Sequence, residues 1–252
     1  MALLASQLRY EQKSFWRNPA SAFFTFAWPV AFFVLFASLF HANREATLGG
    51  VPAIDYYVPS IIAFSVANAC FANLAVTTCM RRDRGQLKVI RGTPLPSWAY
   101  LGGVILNQVL ISVALTVIIV AVGSTAYGAD LPRHWGALVV TLLVGVVSFC
   151  ALGLAVSVAV PNADAAPVII NLALLVLLLI SGVFFPLPSA SVLSQVARYL
   201  PMRPLILATF ATFDPRHHGG AFSSADLLTM AAWGLAALAV AVPFFRWEPR
   251  KT

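Results

Sequence analysis

Charge is what this sequence has least of. Asp, Glu, Lys and Arg make up 10% of its 252 residues, against roughly 25% in an ordinary soluble domain. Six long apolar stretches contain no acid and no base. Buried ion pathways and proton relays are built from such groups, so their lack excludes a charge-driven carrier of that kind. No Gly-Lys pair occurs anywhere, which removes the phosphate-binding loop of nucleotide hydrolases. The three cysteines, Cys70, Cys79 and Cys150, fall in or at the ends of apolar runs without metal-type spacing; no disulfide is expected. No Ser/His/Asp or Cys/His set lies at a shared depth, so no catalytic, cofactor or metal site is expected in this chain. The net charge of +7 points to an anionic membrane face and not to nucleic acid.

What is present is hydrophobic residues, 60% of the chain. Crossing the hydrocarbon core takes roughly 20 apolar residues as a helix. Six runs qualify: Ala20–Phe40, Tyr56–Met80, Trp98–Gly123, Gly136–Val160, Ala165–Phe185 and Leu227–Phe245. The pattern predicts an all-α integral membrane protein, one domain over residues 1–252, with six transmembrane helices. Eleven of the sixteen Lys and Arg lie before the first run, between the second and third, and after the sixth. The positive-inside rule then makes both termini and the 81–97 loop cytoplasmic.

Residues 1–18 read as an interfacial amphipathic helix. Leu4, Leu8, Phe15 and Trp16 share one broad face, and Arg9, Lys13 and Arg17 follow at intervals of four on another. The segment 186–224 is long yet apolar. Its two helical patches, Ser191–Leu200 and Leu205–Phe213, are too short to span, and short outer re-entrant helices are expected there. The spans carry uncharged polar residues whose ordinary role is interhelical hydrogen bonding. Asn68, Asn73, Asn171 and Ser181 are the candidates for a weakly polar translocation path.

Several segments resemble a known family. Arg81-Arg82-Asp83-Arg84-Gly85-Gln86-Leu87, followed by Gly92-Thr93-Pro94-Leu95-Pro96, resembles the inner loop of type-2 ATP-binding-cassette (ABC) permeases. Ser181-Gly182-Val183-Phe184-Phe185-Pro186 is similar to the stretch that ends their fifth span. Ala197-Arg198-Tyr199-Leu200-Pro201 is similar to their outer helix, and Asn18-Pro19 to their opening after the basic helix. The nearest group is the bacterial daunorubicin/doxorubicin-resistance-like exporter permeases. Arg81 stands where many members have Glu, Asp83 where a second Glu is usual, and Met202 where Asn is common.

The resemblance implies an interfacial elbow helix, a coupling helix in the 81–97 loop, and outer re-entrant helices. It implies a homo- or heterodimer of permeases bound to two ABC ATPase subunits, which hold the ATP and Mg. The cargo would be an amphiphile, a drug, lipid or glycolipid, exported across the cell membrane, with antibiotic resistance as one outcome. Arg82, Asp83, Arg84 and Gln86 would make polar contacts with the ATPase. Leu87 and Ile90 would pack there, with Gly85, Thr93 and Pro94 shaping the loop. A non-transporting membrane scaffold or an assembly or immunity factor is the alternative.

Overall fold

The structure is a computed structural model that describes residues 2–41, 47–48, 51–92, 95–187, 191–213 and 222–244. It is all-helical apart from a two-residue antiparallel ladder, Thr47–Leu48 with Val51–Pro52. The expected interfacial helix is α1 (Ala2–Trp16). Next come α2 (Pro19–His41), α3 (Ala53–Ala67), a π-helical turn (Asn68–Asn73), α4 (Leu74–Asp83) and the short α5 (Gln86–Arg91). The remainder are α6 (Ser97–Ala126), α7 (Trp135–Ala159), α8 (Ala166–Ser181), α9 (Val192–Tyr199), α10 (Met202–Phe213) and α11 (Ser224–Phe244).

Among the described residues, five helices are long and apolar enough to cross a membrane: Pro19–Phe40, Ala53–Asp83, Ser97–Ala126, Trp135–Ala159 and Ser224–Phe244. The second runs unbroken through α3, the π-turn and α4, and most of it is buried. It is the central post: α2, α6, α7 and α10 all pack on parts of it. At 1.5 Å per residue its 31 residues reach about 45 Å, well beyond a ~30 Å hydrocarbon core. The helix is therefore longer than that layer is thick.

The fifth expected run forms α8, which has 16 residues and extends about 24 Å. It stops at Ser181 because Gly182 takes a left-handed conformation with φ 77°, which glycine adopts freely and which commonly ends helices. The exposed carbonyls there are then satisfied from other helices. The Tyr56 hydroxyl donates to the Gly182 carbonyl, and Arg203 Nη1 donates to Ser181 O at 3.1 Å. Tyr57 donates to Phe184 O at 3.0 Å. The two apolar patches beyond form α9 and α10. Ser191 caps α9, its Oγ accepting from Ser194 N at 3.1 Å. The α10 helix is largely buried, whereas α9 exposes Val192, Val196 and Tyr199.

Helix α1 lies along α6. Leu4, Leu8 and Phe15 turn inward as their spacing suggests, and Arg9, Lys13 and Arg17 are exposed. Trp16 points outward despite sharing the apolar arc. The docking depends on two glycines of α6. A Cβ on Gly103 would sit 2.9 Å from Gln7 Cβ and 2.4 Å from its Cγ, and one on Gly102 would sit 2.9 Å from Leu4 Cδ2. Gly103→Leu is therefore expected to push α1 off α6 and to lower stability by about 1–3 kcal/mol, the usual cost of overpacking. Thermal unfolding, together with protease cleavage within α1, measures it; parent-like values for both would refute the notch.

Candidate functional site

Three elements, α2, the second span and α8, enclose a cavity of about 790 Å³. Asn68, Asn73 and Asn171 all line it, joined by Asn18, Ser21, Thr25 and Thr77. Phe24, Trp28, Phe32, Phe64 and Phe184 supply aromatic surface. Among the described lining residues Arg84 is the cation, and none is an acid. The interior thus offers hydrogen bonds and ring faces but no counter-ion for a positive charge. Ring packing gathers at Phe184, whose centroid lies 5.4 Å from Phe32, 5.5 Å from Phe36 and 6.4 Å from Phe64.

The π-turn explains how two asparagines five residues apart reach one cavity. In a π-helix the bonds run i→i+5, so residues five apart lie roughly above one another. Asn68 and Asn73 stand in that relation. The other side of the turn is pressed on α7: a Cβ at Gly153 would lie 2.8 Å from Cys70 O and 2.9 Å from Phe71 O. Asn73 Oδ1 accepts from Ser21 Oγ at 3.1 Å and from Thr77 Oγ1 at 3.4 Å, tying the turn to α2. Ser181 is not among the residues lining this cavity. It is fully buried at the end of α8, where Arg203 bonds its carbonyl and its own hydroxyl has no partner among the described residues.

At the basic end, three consecutive side chains fasten three different elements. Arg81 grips Glu11 of α1 with two bonds, Nη1–Oε1 at 2.9 Å and Nη2–Oε2 at 2.7 Å, and also donates to the Tyr100 hydroxyl at 3.2 Å. Gln7 donates to the same carboxylate at 3.1 Å. Arg82, only 3% exposed, donates to Ser157 O at 3.0 Å and Val160 O at 2.9 Å. It thereby satisfies carbonyls left open where α7 ends, with a cation where the helix dipole favours one. Asp83 accepts from Ala163 N at 2.5 Å, holding the connection between α7 and α8.

Gly85 then turns the chain with φ 71°, and α5 begins. Leu87 is fully buried and Ile90 is partly buried against the core. Arg82, Asp83, Leu87 and Ile90, expected to face a partner, are thus engaged within the chain. The reason is that Arg82 and Asp83 find backbone partners at the end of α7 and beyond it, and Leu87 and Ile90 find apolar burial beside the bundle. Arg84, Gln86, Lys88, Val89 and Arg91 form the exposed face, with Val89 70% exposed. Val89 and Glu11 are the residues that sequence reasoning missed. The signal for Glu11 was its place on the inward line Leu4, Leu8 and Phe15 of α1. Thr93 and Pro94 lie outside the described residues.

The docked α1, the second span with its short end helix, and the polar-aromatic cavity all fall within one stretch of sequence that matches a known family. The pattern of ABC-2 type transporters matches residues 3–213. The chain belongs to the ABC-2 type transporter family. It is similar to a protein of Bacillus subtilis (strain 168) described as "Putative transport permease YvfS", with 25% identity over 203 residues, 80% of this chain and 81% of the relative. This ABC-2 chain is accordingly a multi-pass membrane protein and a transmembrane subunit of a transporter, and the family's general partner is an ABC ATPase.

The Arg81–Glu11 pair gives a sharp prediction. Removing one partner of a buried pair leaves the other charge uncompensated and costs about 3–5 kcal/mol, whereas replacing both by apolar residues is close to neutral. Glu11→Leu and Arg81→Leu are each expected to lower the unfolding temperature strongly, and the double variant to recover most of the loss. Additive losses in the double variant would show that the pair does not hold α1.

Proposed function

We propose that this chain is the permease subunit of an ATP-driven exporter that moves an amphiphile, a drug, lipid or glycolipid, out of the cell. It crosses the membrane six times with both termini in the cytosol. The fifth crossing is α8 extended by the residues that follow it, the sixth is α11, and α9 and α10 dip in from the outer side. Two such permeases pair, each served by an ATPase subunit that binds ATP and Mg. The observation that carries the reading is that one helix holds both working parts. The second span lines the cavity with Asn68 and Asn73 and ends in the basic loop, and Arg84 belongs to both.

The docking face is narrower than the loop motif suggests. Arg84, Gln86 and Val89 meet the ATPase. Arg82, Asp83, Leu87 and Ile90 bind the loop to α7, the α7–α8 connection and the core, so that a push on α5 reaches the second span without being lost in slack. Gly85 supplies the turn. Asn68, Asn73 and Asn171 offer amides to the cargo's polar part, and the aromatic rings take its apolar part. Ser181 keeps the outer end of α8 in place. Coupling of this kind requires contacts that differ between two states of the ATPase.

Reconstitution with the cognate ATPase tests the reading. Val89→Asp and Arg84→Glu, both on exposed positions, are expected to leave folding intact and to cut cargo-stimulated ATP hydrolysis at least fivefold. Undiminished stimulation in both would overturn the docking face. For topology, a cysteine at Ser97 is expected to react with an impermeant maleimide only after cells are opened, and one at Gln195 in intact cells. The reverse pattern would invert the orientation.

A further inference from the structure

A second, smaller cavity of about 210 Å³ lies between α1, α4 and the first half of α6, and its residues are more polar than those of the large one. Asn107 and Gln108 line it, 6% and 4% exposed, and neither amide oxygen, Oδ1 or Oε1, has a partner among the described residues. Adjacent unpaired buried amides are costly, each leaving a desolvated polar group of order 1–3 kcal/mol. Their terminal torsions are soft, so either amide can turn toward a guest. The space exceeds the ~30 Å³ share of one water several-fold.

Charge decides which guest fits. Glu11 borders the cavity, but both its oxygens are taken by Arg81, and Gln7 adds a third bond. Its charge is already matched by Arg81, so among the described lining residues no uncompensated carboxylate is left to hold an ammonium. Arg84 also borders it and has no acidic partner among the described residues, and the Ser14 hydroxyl faces the same space. The site therefore offers one uncompensated guanidinium and two amides whose oxygens call for hydrogen-bond donors. A guest needs an anion at one end and hydroxyls at the other.

We propose that this cavity binds a polyol phosphate, the phosphate held by Arg84 and the hydroxyls donating to Asn107 Oδ1 and Gln108 Oε1. A phosphatidylglycerol-type headgroup has this chemistry, and so does soluble glycerol 3-phosphate. The site lies beneath the amphipathic α1, at the end of the bundle where the second span turns polar. It adjoins the larger cavity and shares Asn18, Ser21, Asn73, Thr77, Met80 and Arg84 with it, whereas Asn107 and Gln108 line the smaller one alone.

The test uses the purified full-length chain in a neutral maltoside detergent, with binding followed by tryptophan fluorescence and by thermal unfolding. The probes are dihexanoyl phosphatidylglycerol, glycerol 3-phosphate, and dihexanoyl phosphatidylcholine, which has a phosphate but no hydroxyl donor in its head. Phosphatidylglycerol is expected to bind at least fivefold tighter than phosphatidylcholine. The double variant Asn107→Leu/Gln108→Leu and the surface variant Arg84→Gln are each expected to weaken it at least fivefold. Tight binding of glycerol 3-phosphate supports the site and assigns a soluble source; its failure beside phosphatidylglycerol binding supports the site and assigns the membrane. Equal binding of phosphatidylcholine overturns the proposal, as does parent-like affinity in Arg84→Gln and in the folded double variant.

Discussion

Two adjacent guanidiniums at the end of one helix, Arg82 buried and Arg81 partly so, govern how the basic end of this molecule is assembled. Taking a cation out of water costs several kcal/mol unless charge or aligned carbonyls replace the hydration. Arg81 meets that demand with a carboxylate from α1, and Arg82 meets it with the open carbonyls at the end of α7. Because the residues are neighbours in sequence, the two solutions are mechanically joined. The first helix, the second span and the fourth long helix are drawn to one point, and Asp83 adds the next connection. The row of charges thereby serves as a rigid joint.

That joint explains much of what could and could not be read from the sequence. The long apolar helices were legible because hydrocarbon tolerates nothing else over twenty residues, and α1 was legible from its two faces. The length of α8 was not, since its stop depends on Gly182 being bonded by Tyr56, more than a hundred residues earlier. Asn68 and Asn73 stood out as polar residues in an apolar run, but α-helical spacing puts residues five apart on different faces. Only the π-turn brings both to the cavity, and no residue pattern announces such a turn. Leu87 was expected to pack on the ATPase because its loop resembles the family's inner loop. In the folded chain it is buried, and Val89, which carries no motif, is the apolar side chain left outside.

The cavity and the joint share the second span, yet they make different demands on it. The joint requires α4 to be fixed at its end. The cavity is bordered by α2 and α8, which have much of their surface away from the bundle. Rings gathered at Phe184 and the bonds over residues 181–184 hold the far side of α8, while its opposite end is tied through Asp83. Firmness is thus concentrated at the two ends of the bundle, and the middle, where the amides and rings lie, is packed by apolar contact and a few weak hydrogen bonds.

The π-turn has a consequence for chain length as well as for shape. It is one residue more than an α-helical turn would use, accommodated by widening the helix against Gly153. Loss of a single residue between 68 and 73 would close the turn to an ordinary helical one and leave α3 and α4 in their present registers. Elsewhere in the same post, a one-residue deletion would rotate everything beyond it by about 100°. In a comparison of related sequences, this is the place in the second span where a one-residue gap is structurally silent.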